Sequence, residues 1–201
     1  MADLIHRDAI TGKDCYASTR VDWHNKGYHS VKGAMNVHEV AEATNMLFTF
    51  DKYQTINVPK MLAYLSTKET FTREEFLNAL HYVNSYGVYR SDSLEHMAEV
   101  GKNFKACQFE TAFSFVDSLV NNIGGSHYET AGILGRGEKF FLTVKLPWNI
   151  APDRSPNDIT ETYLLFTSAN DGTGCVTCKL TTTRVVCNNT LQMALGSKGL
   201  G

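Results

Sequence analysis

The sequence predicts an α+β fold, with N-terminal helices and a hairpin followed by a four-stranded antiparallel sheet closed by a C-terminal helix. Three observations carry that expectation. Apolar residues before Gly125 recur mostly at helical spacing, after it their period falls to about two, and a last capped stretch opens another helix. Helices first and strands second is the order of an α+β chain, not of an alternating α/β one. The 201 residues fit a single domain over 1–201, with a polar segment at 1–35 and a β-rich core plus closing helix at 126–195.

The segment 1–35 shows little period. Asn36, with Glu39 three residues on, then opens a helix through Val37, Val40, Ala41 and Leu47, because the two side chains can satisfy each other's backbone N–H groups. The stretch from Phe48 to Thr70 is ambiguous and part of it reads as extended. Thr72 to Glu75 is a second capping box, starting REEFLNALHYVNSY with Phe76, Leu77, Leu80 and Val83 on one stripe and Gly87 as its end. Residues 87–101 read as a hairpin turning at Ser91-Asp92-Ser93. A longer helix follows, with Phe109, Phe113, Val116, Val120 and Ile123 on its buried face and Gly124-Gly125 as its stop.

Beyond it HYETAGIL, EKFFLTVKL, ETYLLFTS and CVTCKLTTTRVV alternate as four strands. Their connections are Gly135-Arg136-Gly137, a loop through Pro147, Pro152 and Pro156, and Asn170-Asp171-Gly172. Asn188-Asn189 caps the closing helix, TLQMAL.

Composition narrows the function classes. Hydrophobic residues at 43% and charged residues at 20% describe an ordinary globular chain. The stretch MADLIHRDAITGKD is polar from its third residue, unlike a signal peptide, and no run of about 18 apolar residues could span a membrane. A soluble protein in the cytoplasm of a bacterial host is expected. The net charge of −2 gives no bulk support for coating nucleic acid; the part up to Gly125 carries 12 basic and 15 acidic residues, the remainder 7 and 6. Cys15, Cys107, Cys175, Cys178 and Cys187 are an odd set, as in a reducing compartment. Cys175-Val-Thr-Cys178 has the spacing of a zinc knuckle, but it sits in a Val/Thr-rich strand, where residues three apart face opposite ways, and lacks a second ligand pair. No metal and no cofactor is expected.

Parity divides EKFFLTVKL into Phe140, Leu142, Val144 and Leu146 on one face and Lys139, Phe141, Thr143 and Lys145 on the other. A solvated sheet face is the plainer reading of two lysines around an aromatic; the other is a nucleic-acid groove, the lysines meeting phosphate and the ring a base. Arg184 shares its parity with Val176, Cys178, Leu180 and Val186, so it must be ion-paired or re-aimed by a bulge, or else it serves a ligand.

Several segments together resemble the phage/plasmid-like protein family, domain of unknown function 932. They are Trp23-His24-Asn25-Lys26-Gly27, the hairpin from Tyr89-Arg90 to Val100-Gly101, Gln108 with Glu110 to Asp117, Tyr128-Glu129-Thr130-Ala131-Gly132, Asn170-Asp171-Gly172, and Thr183-Arg184-Val185-Val186-Cys187-Asn188-Asn189-Thr190-Leu191. The resemblance covers residues 23–47 loosely and 86–195 closely, so 51–85 reads as an insertion. Asn25 stands where the family has Gly, Phe109 replaces a helix-capping Asn, and Asn170 replaces a His.

The order of helix, antiparallel strands and closing helix also resembles, in topology only, the core of single-strand annealing recombinases. That likeness implies a non-enzymatic, homo-oligomeric DNA-binding protein of recombination, encoded by a phage or plasmid. Single-stranded DNA would meet Lys139, Lys145, Lys179 and Arg184 through its backbone and exposed aromatics such as Phe141 through its bases. The alternative is an anti-defence protein or an enzyme acting against a host system, with His24, Glu129 and Asp171 as acid–base groups. No nucleophile elbow, Walker loop, metalloprotease motif or dinucleotide fingerprint accompanies them, and Gly132 to Gly137 reads as a hairpin turn.

Overall fold

The computed structural model describes residues 5–9, 11–150 and 160–196. The chain is α+β. Its main sheet has six strands in the order β2-β1-β6-β7-β8-β9, built from β1 (Tyr16–Ser18), β2 (Tyr28–His29), β6 (His127–Leu134), β7 (Lys139–Ile150), β8 (Thr160–Ala169) and β9 (Thr177–Thr181). The expected four-stranded sheet is therefore only its larger part. β1 pairs antiparallel with β6 and parallel with β2, and at three and two residues both are too short to carry a readable alternation.

A second sheet of order β3-β4-β5 comes from β3 (Phe50–Ile56), β4 (Tyr82–Arg90) and β5 (His96–Val100), so the expected hairpin is present with a third strand on its side. The helices are α1 (Val37–Thr44), α2 (Val58–Leu65), α3 (Arg73–Asn78), α4 (Phe109–Asn122) and α5 (Asn188–Gly196). Both capping boxes form, at Asn36/Glu39 and Thr72/Glu75.

Two expectations about element length are corrected. The helix after Thr72 stops at Asn78, because Tyr82 to Arg90 is rich in aromatic and β-branched residues and pairs with β3. The last strand spans only Thr177–Thr181, so residues 182–187 leave the sheet and strand parity does not govern Arg184. Pro147 lies inside β7, where the register with β8 shifts between Lys145 and Asn149. Proline tolerates such a site because no ladder N–H is required there. Pro152 and Pro156 lie outside the described residues.

The main sheet is buried on both faces. One face packs Phe140, Leu142 and Val144 against Phe109 and Val116 of α4, Val40 of α1, and Phe48, Val88 and Met97 around the small sheet. The other packs Tyr16, Phe141 and Leu165 under Val185, Val186, Leu191 and Ala194, from the 182–187 segment and α5. Two side-chain amides, a half-buried Gln108 and a buried Asn170, tie the layers together. Gln108 accepts from the N–H of Phe50 and donates to its carbonyl, each at 2.9 Å. Asn170 does the same with Cys107, at 2.8 and 3.0 Å. Asn170 thus works as a backbone clamp where the family resemblance expects His, and Phe109 fills the core instead of capping α4.

Candidate binding site

At one end of the main sheet, charges gather around a carboxylate that the strand pattern aims inward. The β6–β7 register shifts between Tyr128 and Thr130, which makes Glu129 the extra residue of a bulge and turns its side chain out of the ladder. Glu129 is 1% exposed. It accepts from Arg184 Nε at 2.6 Å and Arg20 Nε at 3.1 Å, and His127 Nε2 stands 3.5 Å away. Burial alone would raise its pKa, but the hydrogen bonds from His127, Thr19 and Arg184 hold it far below the ordinary carboxylate range.

Arg184 is saturated by this surrounding: it also bonds Asp22 and the Ser18 hydroxyl. Asp22 in turn accepts from the Tyr16 phenol. Burial, reinforced by that hydrogen bond to Asp22, pushes the Tyr16 phenol up, so it remains a donor. Arg20 forms the outer half. Its Nη2 donates to Glu161 and to the Tyr163 hydroxyl, both at 2.9 Å. Glu161 also takes bonds from Lys145 and Tyr163, and Lys145 foremost, then Tyr163 and Arg20, lower its pKa to about 2. Arg20, Val21, Glu161, Tyr163 and Arg184 line an open cleft of about 600 Å³.

The residues marked from sequence divide. Lys145 and Arg184 both join this network through carboxylates. Lys139 pairs with Asp171 at 3.3 Å. The Lys179 ammonium donates to the Leu195 carbonyl at 3.0 Å, near the end of α5, where a cation complements the helix dipole. Phe141 is corrected most sharply: it is 0% exposed and sits beneath the α5 layer, so its ring is not on a surface. Strand parity separated the two faces of β7 correctly, but it contained nothing about the layer that covers the second one.

Arg20, Asp22, Glu161 and Tyr163 were not singled out by sequence reasoning. The available signal was Glu129 itself, a charge among apolar strand residues that required partners. The Trp23–Gly27 turn places the loop that delivers Arg20 and Asp22. Asn25 has φ 47° and Gly27 φ 72°, and a side chain on Gly27 would come within 2.2 Å of the Tyr16 carbonyl oxygen. Asn is the non-glycine residue best suited to that left-handed position, where the resemblance expects Gly.

Both nitrogens of His24 are committed. Its Nδ1 accepts from Lys26 N–H at 3.1 Å, which leaves the proton on Nε2 to bond the Val186 carbonyl at 3.0 Å. Asp171 is bonded by Thr173 and by Lys139. His6, Asp8 and Cys15 come together with ligand-like spacing. Yet His6 accepts from Arg90 at 3.0 Å and pairs its other nitrogen with the Gly135 carbonyl, so a guanidinium occupies the approach a cation would use. Cys175 and Cys178 are exposed thiols. Among the described residues no helix is long and apolar enough to cross a membrane.

No curated protein and no solved structure matches the chain. A family model does, over residues 96–200, which takes in α4, the Glu129 bulge, Glu161, Tyr163 and Arg184 but neither Arg20 nor residues 51–85. On that match, which spans just over half of its residues, the chain belongs to the Domain of unknown function (DUF932) family.

Proposed function

We propose that the chain is a non-enzymatic binding protein, encoded by a phage or plasmid, that holds single-stranded DNA across the Arg20 cleft during recombination. One observation carries the reading: Arg20 is half exposed, is oriented from behind by the buried Glu129 and by Glu161, and keeps Nη1 without a partner among the described residues. A guanidinium fixed on one side and open on the other suits a phosphate oxygen, because its orientation entropy is already spent. Trp23 is 73% exposed in the loop just after Arg20, and Trp148 is 53% exposed beside the Asn149–Glu161 pair at the same end of the sheet. Stacking of a base on such a ring is worth roughly 1–3 kcal/mol and tolerates any sequence.

The polymer lies at the sheet's end in this reading and not on the Lys139–Phe141–Lys145 face. Binding is favoured over proton-transfer chemistry because His24, the acid–base candidate beside the cleft, spends both nitrogens on the backbone. Fluorescence anisotropy of a labelled single-stranded oligonucleotide tests it. Binding at low salt is expected, with Arg20→Ala weakening it about tenfold, one charge-assisted bond's worth, and Lys139→Ala leaving it unchanged. No binding at low salt, or an affinity indifferent to Arg20→Ala, refutes the assignment.

A further inference from the structure

Helices α2 and α3 bury none of their residues, although each is well specified locally. Asn57 caps α2 with Pro59 behind it, and α3 has its complete capping box. Apolar residues of the segment 57–82 are nevertheless left in water. Val58 and Leu62, one turn apart on α2, are 49% and 55% exposed, and Phe71, Phe76, Leu77 and Tyr82 lie between 37% and 56%. The Phe71 and Phe76 rings stack at 6.1 Å, and Lys68 joins the two helices by pairing with Glu75 while lying 5.5 Å over the Tyr64 ring.

We infer that this surface is a self-association face, and that its occupant is the same face of a second copy of the chain. Area and charge select that partner. With a whole aromatic side chain worth about 200 Å², the six residues leave on the order of 500 Å² of apolar surface in water. One side of a standard interface is about 800 Å², of which roughly 65% is apolar when the pair is a homodimer. The patch therefore supplies the apolar core of one such side. It also lies at the upper end of what a monomer leaves open. Residues 57–82 carry Lys60, Lys68 and Arg73 against Glu69, Glu74 and Glu75, net zero. An anionic membrane or a phosphate polymer needs a basic excess. A neutral face holding both signs can instead meet itself about a two-fold axis. The segment lies outside the family-matched residues and lines no part of the Arg20 cleft, so it stands independently of the DNA reading.

Sedimentation velocity of the full chain without DNA, across roughly a hundredfold range of micromolar concentration, decides the matter; a two-fold pairing is the isologous case. The wild type should shift from 22.4 kDa towards twice that mass. Leu62→Asp with Leu77→Asp should remain monomeric with an unchanged circular dichroism spectrum, since neither residue is buried. Hydrogen exchange of wild-type residues 57–82 should slow as concentration rises, a readout that does not depend on the variant folding. A wild type monomeric throughout overturns the proposal, as does self-association that the folded double variant leaves intact. Exchange over 57–82 that ignores concentration, or a monomer that sediments with anionic phospholipid vesicles, overturns it too.

Discussion

Arg184 shows how one side chain can hold two buried carboxylates at once. Glu129 and Asp22 are 1% and 8% exposed, and both bond its guanidinium. Removing one partner of a buried ion pair costs about 3–5 kcal/mol, because the remaining charge has neither water nor a counter-ion. Arg184→Met should lower the urea-derived stability by no more than that, because Arg20 and His127 still stand against Glu129, and adding Glu129→Gln should recover part of it. Acid acts on the same pair. The folded state holds the Glu129 pKa below its unfolded value, so its contribution is complete above about pH 4.3 and drains away as pH falls through the depressed range. Urea midpoints at about pH 6 and pH 3 should therefore differ more in the wild type than in Glu129→Gln. Equal pH sensitivity in both would place the acid lability elsewhere. The pairing of Arg184 was one of the readings open from its sequence context. Its partners were not, since Asp22 lies 162 residues away and only the packed fold brings them together.

Elements whose causes are local were the legible ones. The boxes at Asn36/Glu39 and Thr72/Glu75 need four residues each and form as written. The stripe of α4 buries Phe109, Phe113 and Val116 as its spacing required. Elements created by distant pairing were not legible: β1 and β2 exist because β6 offers an edge, and Phe141 is covered because α5 folds back over it. The same division predicts contrasting responses to mutation. Thr72→Ala removes a cap worth about 1 kcal/mol. Because α3 buries nothing, the loss should show as faster hydrogen exchange at residues 73–78, with the global urea midpoint unmoved. Phe141→Ala should lower that midpoint by the equivalent of about 3–5 kcal/mol, the usual result of emptying a buried aromatic site. A small effect at Phe141 would mean that the α5 layer is not packed on the sheet in solution.

Taken as one particle, the chain carries −2, and its cleft offsets Arg20, Lys145 and Arg184 with Asp22, Glu129 and Glu161. That balance constrains how any polyanion could bind. Arg184 and Lys145 are already engaged, so only about one or two phosphates can be neutralised, by Arg20 and by whatever a bound strand displaces. Each neutralised phosphate of a single strand contributes about −0.7 to the slope of log affinity against log salt. Affinity should therefore fall by less than about tenfold between roughly 50 and 200 mM salt, where a protein making six or more contacts to duplex DNA loses about a thousandfold or more. The rest of the binding energy must come from stacking. The chain has only two tryptophans, both exposed, so its intrinsic fluorescence should be quenched as a strand binds, and Trp23→Ala should remove most of the quench along with affinity. A shallow salt slope with quenching fits the Arg20 cleft flanked by rings. A steep slope without quenching would move the strand away from the Arg20 cleft to a more basic surface and would refute the assignment.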